Sequence, residues 1–158
     1  MKKKILLISF IILIIDQFIK HLVMTSLIYR KTYSIISNFF YLTYVKNTGG
    51  AWSILSDNII FLLIVSIICI IGLIIYLFKK NNISKLECIY YSLLFGGIIG
   101  NLIDRIFYKG VIDYIGFIFG NYYFPIFNIA DICIVCGILL LLIDGWLGDE
   151  NGIRSNKR

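Results

Sequence analysis

An uninterrupted apolar run from residue 59 to residue 78 constrains this chain more than any other feature of its sequence. The run carries no charge, and a helix needs about 20 apolar residues to cross the hydrocarbon core of a bilayer. Across the chain, 59% of the 158 residues are hydrophobic and only 15% are charged, which is more apolar surface than a water-soluble fold of this length could bury. We therefore expect an integral membrane protein.

Three further stretches have the length and apolar character of membrane-spanning helices. We predict helices over about residues 5–28, 59–78, 87–107 and 124–146, the last with Pro125 in its first turn. The first stretch begins like a secretory signal peptide, but its apolar character continues beyond Asp16 without a small-residue cleavage site. The sequence therefore predicts one all-α membrane domain over residues 1–158 with four transmembrane helices.

Two segments between these helices are too polar to cross a bilayer. Residues 30–57 are rich in Tyr, Thr, Ser and Asn, and alternation around residues 39–45 indicates a small β-rich segment between the first and second helices. Residues 108–123 form the second polar segment. Nine of the fifteen Lys and Arg residues lie in the amino terminus, the 79–85 loop and the 154–158 tail. Both termini are therefore expected to be cytoplasmic and both polar segments extracytoplasmic.

Ionisable side chains within a membrane span are costly, so each one indicates a paired or functional group. Asp16 and Lys20 are four residues apart on the first helix, and we expect them to form a supporting ion pair. Asn101, Asp104 and Arg105 share one face near the outer end of the third helix, next to glycines that allow close helix packing. Arg105 could neutralise Asp104 and also donate to another carboxylate.

Two aspartates have no such partner nearby in the sequence. Asp131 lies in the fourth apolar helix three positions after Asn128, and Asp113 follows an apolar pair on the outward side. If the third and fourth helices are neighbours, the two carboxylates come together near the outer surface. A close pair of aspartates shares one proton, so that the ionised one can activate water while the protonated one polarises a carbonyl. This chemistry can hydrolyse a peptide bond.

Other chemistries have poorer support. His21 is the one histidine and lies on the first helix, so a Ser-His or Cys-His pair and the usual zinc ligands are poorly supplied. Cys133 and Cys136 are more typical of small buried hydrophobes than of a redox or metal motif. The basic residues form no stripe with aromatics, so we expect no nucleic-acid partner. Because metal ligands are poorly supplied and the glycines at 96–100 lack the strand and lysine of a phosphate-binding loop, we also expect no metal and no cofactor. The alternative is a noncatalytic channel or assembly subunit with a proton-conducting carboxylate cluster, although a proton path favours carboxylates spread through the membrane depth.

Five ordered motifs resemble those of the lipoprotein signal peptidase family, also called signal peptidase II. They are Asp16-Gln17-x-x-Lys20, Asn47-x-Gly49, the block of residues 96–105, Val111-x-Asp113-Tyr114 and Phe127-Asn128-x-Ala130-Asp131. The sequence departs from the family pattern at Gly50, where Ala is frequent, and at Tyr114, where Phe is common.

The resemblance implies an aspartic endopeptidase of the bacterial cytoplasmic (inner) membrane, with its active site near the outer leaflet. Its substrates would be diacylglyceryl-modified prolipoproteins, cleaved on the amino side of the lipidated cysteine. Asp113 and Asp131 would form the catalytic dyad, and Asp16 and Lys20 would support the structure. The residues implied to bind substrate or to orient the dyad are Asn47, Gly49, Asn101, Asp104, Arg105, Asn128 and Ala130. We expect the protein to act as a monomer among membrane lipids.

Overall fold

Four helices form the body of the protein. The computed structural model describes residues 1–50, 54–56 and 58–155, with side chains described up to residue 147. The helices are α1 (Lys2–Ser26), α2 (Ile59–Lys79), α3 (Lys85–Tyr108) and α4 (Ile129–Ser155). Each contains a stretch long and apolar enough to cross a membrane, which in α4 is Ile129–Leu147. The four predicted helices are therefore present in the described ranges, each with the length and apolar character that a membrane span requires. The side chains of the basic 154–158 tail, used in predicting the orientation, lie outside the described residues.

Helix α3 lies at the centre of the bundle, where it packs against α1, α2 and α4. Its glycines make this close packing possible. A Cβ on Gly96 would lie 2.6 Å from Cγ2 of Ile12 in α1, and a Cβ on Gly97 would lie 2.5 Å from the carbonyl oxygen of Ala130 in α4. Without these side chains the helix backbones can approach each other closely, as the sequence predicted.

Local chemistry defines both ends of α3. The Ser84 side chain accepts a hydrogen bond from the Glu87 amide, and the Glu87 side chain accepts one from the Ser84 amide, which forms a capping box. At the other end, Lys109 adopts a left-handed conformation with φ of 56°. This conformation ends the helix and directs the chain into a strand.

A four-stranded antiparallel sheet lies at the end of the bundle where α1 and α3 finish and α4 begins. Its strands, in both chain and spatial order, are β1 (Tyr33–Ile36), β2 (Phe40–Asn47), β3 (Val111–Phe119) and β4 (Tyr122–Tyr123). The strands predicted near residues 39–45 are present. However, the sheet is not confined to residues 30–57, because β3 and β4 come from the segment predicted as a second loop. Strand β3 pairs with β2 far away in the sequence, with Asn47 opposite Val111.

Helix α4 begins at Ile129, five residues after the predicted start at residue 124, so Pro125 precedes the helix instead of lying in its first turn. The backbone of Phe127 exchanges hydrogen bonds with that of Ile115 in β3, which keeps this part of the chain extended. The helix can start only after this bridge. The bounds of the other three helices agree with the prediction to about three residues.

Candidate active site

Asp113 lies on β3 with its side chain turned into the protein, where only 2% of its surface is exposed. Both carboxylate oxygens accept hydrogen bonds from amide side chains. Oδ2 accepts from Nδ2 of Asn47 on β2 at 3.0 Å, and Oδ1 accepts from Nδ2 of Asn128 at 2.7 Å. The pairing of β2 with β3 brings Asn47 to this carboxylate, because Val45 lies opposite Asp113 in the sheet.

Asp131 is held by the first turn of α4. Asn128 precedes the helix, and its Oδ1 accepts from the Asp131 amide at 2.9 Å, while Oδ2 of Asp131 accepts from the Asn128 amide at 3.2 Å. These reciprocal bonds have the geometry of a capping box. They confirm that Asn128 and Asp131 face the same way. Oδ1 of Asp131 accepts a further bond, from Nδ2 of Asn101 on α3, at 2.7 Å.

Asn128 therefore contacts both aspartates, with its side-chain amide on Asp113 and its backbone amide on Asp131. Its own side chain is fully buried. One residue thus joins the start of β3 to the start of α4, and the two carboxyl groups line the same cavity. The sequence expectation that Asp113 and Asp131 come together is confirmed as geometry.

Arg105 and Gly49 lie beside this pair. The Arg105 guanidinium donates to the carbonyl oxygens of Asn101 at 3.4 Å and Gly49 at 3.5 Å. The Gly49 amide donates to Oδ1 of Asn47 at 2.9 Å, so the loop after β2 is tied to the same amide that contacts Asp113. Asn47, Gly49 and Arg105 are thus brought to the aspartates.

Behind the aspartates lies a buried charge cluster in which Lys20 is the cation. Its Nζ is 2.8 Å from Oδ2 of Asp16 and 2.8 Å from Oδ2 of Asp104, and each of the three side chains is at most 1% exposed. The expected pair of Asp16 and Lys20 is confirmed. The expectation that Arg105 neutralises Asp104 is wrong, because Lys20 on α1 reaches that carboxylate when α1 packs against α3.

Two small features complete this cluster. The Ala130 amide donates to Oδ1 of Asp16 at 3.1 Å, so Asp16 ties α1 to the start of α4. Gln17 Nε2 donates to Oδ1 of Asp104 at 3.0 Å and to the carbonyl oxygen of Gly100 at 3.2 Å. Gln17 belongs to the Asp16-Gln17-x-x-Lys20 motif, but the sequence analysis did not predict it to be a site residue. Its position next to Asp16 was the one feature of the sequence that pointed to it.

A cavity of about 660 Å³ adjoins the two aspartates. Its polar wall includes Asn47, Gly49, Arg105, Asp113 and Asp131, and its apolar wall includes Phe124, Phe127, Ile132, Val135 and Cys136. Cys136 is exposed rather than buried as expected, because it lies on the outer surface of α4. Within the described ranges, no three His, Cys, Asp or Glu side chains are arranged to hold a metal ion.

Burial, and to a smaller extent the charge of Asp131, raise the pKa of Asp113 to about 7. The hydrogen bonds from Asn47 and Asn128 favour the ionised form and oppose this shift. A carboxyl group with a pKa near neutrality can both donate and accept a proton at working pH, as general acid–base catalysis requires.

The fold and the site define an α-helical membrane protein in which two aspartates, each held by hydrogen bonds from asparagines, line the same cavity. The family model described as signal peptidase (SPase) II matches residues 8–147. The chain is 39% identical to the lipoprotein signal peptidase of Bacillus pumilus over 137 residues, which are 87% of this chain and 88% of that protein. It is 38% identical to the Listeria monocytogenes serotype 4a lipoprotein signal peptidase over 145 residues, 91% of this chain and 94% of that protein.

Two solved structures have a similar fold. A bacterial membrane enzyme solved at 2.3 Å by the in meso method superposes with a TM-score of 0.86 at 34% identity, covering 93% of this chain and 90% of that one. A second bacterial membrane enzyme, solved at 1.9 Å, gives a TM-score of 0.79 at 35% identity and covers 89% and 90% of the two chains. The chain belongs to the signal peptidase II family.

Proposed function

We propose that this protein is a lipoprotein signal peptidase in which Asp113 and Asp131 are the catalytic dyad. It removes the signal peptide from diacylglyceryl-modified prolipoproteins by cleaving on the amino side of the lipidated cysteine. The observation that carries the assignment of the dyad is the position of Asn128, which hydrogen-bonds both carboxyl groups beside the cavity. Family membership does not favour the alternative of a noncatalytic channel.

The dyad works with one shared proton. The ionised carboxylate takes a proton from a water molecule, whose oxygen attacks the scissile carbonyl carbon, while the protonated carboxyl donates its proton to the carbonyl oxygen. Collapse of the tetrahedral intermediate breaks the C–N bond: one hydroxyl of the intermediate returns its proton to the carboxylate that had donated one, and the proton taken from water passes to the leaving amine. No covalent enzyme intermediate is formed. The raised pKa of Asp113 is consistent with a dyad that retains one proton near neutral pH.

The polar residues around the dyad position the peptide. Arg105 lines the cavity and is only half-buried, so its free N–H groups can donate to substrate carbonyls. Asn47 and Gly49 lie on the same polar wall, where Gly49 accepts a hydrogen bond from Arg105, so an extended peptide can lie along this wall beside the dyad. Asn101, Asn128, Asp104 and Ala130 lie behind the carboxyl groups and orient them instead of contacting substrate.

The apolar wall of the cavity provides a place for the diacylglyceryl group. Ile132 and Val135 on α4 are 41% and 55% exposed and continue from Asp131 along the helix surface. Such a surface accommodates acyl chains, and each buried methylene contributes about 0.8 kcal/mol. Anchoring the lipid beside the cleaved bond fixes the depth of the scissile carbonyl. Every residue of the proposed site comes from this one chain, and the proposed active form is a monomer among membrane lipids.

The proposed orientation has both termini in the cytoplasm and the active site near the outer leaflet. Lys2, Lys3 and the 81–83 loop line one small cavity at the end of the bundle opposite the sheet, and Lys2 Nζ donates to the Phe78 carbonyl at 3.2 Å. Lys79 and Lys80 directly precede this loop, so basic residues from two segments lie at one end of the bundle. Single cysteines at positions 47 and 82 of a cysteine-free protein test this orientation. Labelling of position 82 from outside, or protection of position 47 there, would exclude it.

The dyad is tested by Asp113→Asn and Asp131→Asn. Each amide keeps the shape of the side chain but cannot act as the base, so we expect cleavage of a lipidated prolipoprotein to fall by about 100-fold or more. Asp144→Asn is the matched control, because Asp144 also lies on α4 but hydrogen-bonds Tyr90, away from the cavity. Near-normal turnover by either dyad variant would overturn the assignment, and Asp104 would then be the next candidate.

A further inference from the structure

Lys20 makes a third contact besides its two ion pairs. Its Nζ donates to Oδ1 of Asn101 at 3.0 Å, in addition to its pairs with Asp16 and Asp104. An ammonium group has three N–H donors and no acceptor, so these three oxygens satisfy it completely. The Lys20 side chain is 1% exposed and does not line the cavity, so it cannot contact substrate directly.

This third contact fixes the orientation of the Asn101 amide. Because Lys20 can only donate, the oxygen of the amide has to face it, and the NH₂ group then has to face Asp131, to which it donates at 2.7 Å. With the amide turned round, its NH₂ would face the ammonium and its oxygen would face a carboxylate. Both contacts would then be repulsive.

The same oxygen also orients a second amide. Oδ1 of Asn101 accepts from Nδ2 of Asn128 at 3.2 Å, and that Nδ2 also donates to Oδ1 of Asp113 at 2.7 Å. The positive charge of Lys20 is thus relayed through Asn101 and Asn128, with one amide donor presented to each aspartate. A chain of hydrogen bonds in a buried site strengthens its members by mutual polarisation.

We propose that Lys20 is a positioning residue for peptide hydrolysis, which holds Asn101 and Asn128 as hydrogen-bond donors to Asp131 and Asp113 and so favours the ionised member of the dyad. The inference rests on the proposed assignment of the dyad. It gives Lys20 a role in the reaction, beyond the structural support that the sequence alone suggested.

The charges around Lys20 determine the direction of the effect. Burial is the main influence that raises the pKa of Asp113, and the charge of Lys20 opposes it. Removal of the cation therefore makes it harder to ionise the dyad, which moves both limbs of the pH–activity profile to higher pH. Other titratable or charged groups near this cluster are Asp16 on α1, Asp104 and Arg105 on α3, Tyr114 on β3 and Cys133 on α4.

The test is Lys20→Met, which removes the charge and keeps most of the volume. We expect kcat per folded enzyme to fall between about tenfold and 100-fold with little change in KM, because the positioning of the dyad is lost and the cavity is not altered. We also expect both limbs of the pH profile to move up by about one pH unit. A purely structural role would lower the yield of folded enzyme and leave the limbs in place.

Asp16→Asn is the matched control. This variant weakens the same charge cluster but keeps the hydrogen bond between Lys20 and Asn101. Because it removes a negative charge, the limbs of its pH–activity profile should stay in place or move to lower pH. If Lys20→Met does not fold, the double variant Lys20→Met/Asp104→Asn removes one of the two carboxylates left without their cation, and its pH profile should lie at higher pH than that of Asp104→Asn alone. Limbs that do not move would overturn the proposal.

The failure of this proposal can be told apart from failure of the dyad assignment. If Asp113→Asn and Asp131→Asn abolish cleavage while Lys20→Met leaves the limbs in place, only the role of Lys20 is wrong. If either dyad variant keeps its turnover, the proposed function of the site fails first. Measuring all three variants on the same lipidated prolipoprotein, normalised to folded protein, separates the two results.

Discussion

Substituting Gly97 by Ala should push α4 away from α3 beside the two aspartates. A Cβ at this position would lie 2.5 Å from the Ala130 carbonyl oxygen and 2.8 Å from Cγ1 of Ile134. Ordinary contact begins at 3.4 Å, so the contact with the carbonyl would be too short by about 0.9 Å. The carbonyl belongs to the backbone of α4 and cannot rotate away. The helix itself has to move.

This displacement reaches the dyad because Asn101, one turn along α3 from Gly97, donates to Asp131, which follows Ala130 in α4. The Asn101 to Asp131 hydrogen bond is 2.7 Å long, and a shift of about 0.9 Å along it would give about 3.6 Å, which is no longer a hydrogen bond. Overpacking of this kind costs about 1–3 kcal/mol of stability. A misplacement of about 1 Å in an active site can lower the rate by about 100-fold.

We therefore expect Gly97→Ala to lower turnover by about tenfold to 100-fold and also to lower the unfolding midpoint. The assay is cleavage of a lipidated prolipoprotein in detergent, with thermal unfolding measured on the same preparation. Gly72→Ala on α2 and Gly145→Ala on α4 are matched controls, because an added Cβ meets no atom within 4 Å at either position. Wild-type turnover and an unchanged midpoint in Gly97→Ala would refute the argument that this glycine sets the α3–α4 spacing.

Three further predictions concern charge and substrate. The pKa of Asp113 is raised to about 7 in the folded protein, so between about pH 4 and 7 the unfolded chain ionises this group first and the folded protein loses stability as pH rises. Asp113→Asn lacks this loss, so its thermal-unfolding midpoint relative to that of wild type should rise over the same interval. A constant difference between the two midpoints would contradict this. Asp16→Asn should lower the free energy of unfolding by an amount on the order of a few kcal/mol, because buried Lys20 loses one of its two carboxylates, and denaturant titration in detergent would measure it. EDTA should leave cleavage unchanged and removal of the diacylglyceryl group should nearly eliminate it; inhibition by EDTA that zinc reverses, or equal cleavage of both substrates, would show the mechanism to be different.

The sequence by itself determined the features that depend on local chemistry. The uncharged run of residues 59–78 gave α2 to within one residue, because the cost of placing each side chain in hydrocarbon is a property of that residue and its near neighbours. The ion pair of Asp16 with Lys20 and the common direction of Asn128 and Asp131 were also predictable, because both depend only on the spacing of residues along the chain. The candidate site residues were recognised from their motifs.

The tertiary structure alone decided how these local pieces meet. Residues 111–119 form a strand because they pair with β2, and Asp113 is buried beside Asn47 for the same reason. Asp104 is neutralised by Lys20 instead of its neighbour Arg105, since helix packing brings α1 against α3. Contacts of this kind join residues distant in the chain, so they depend on the packing of whole elements and leave no periodic pattern in the sequence.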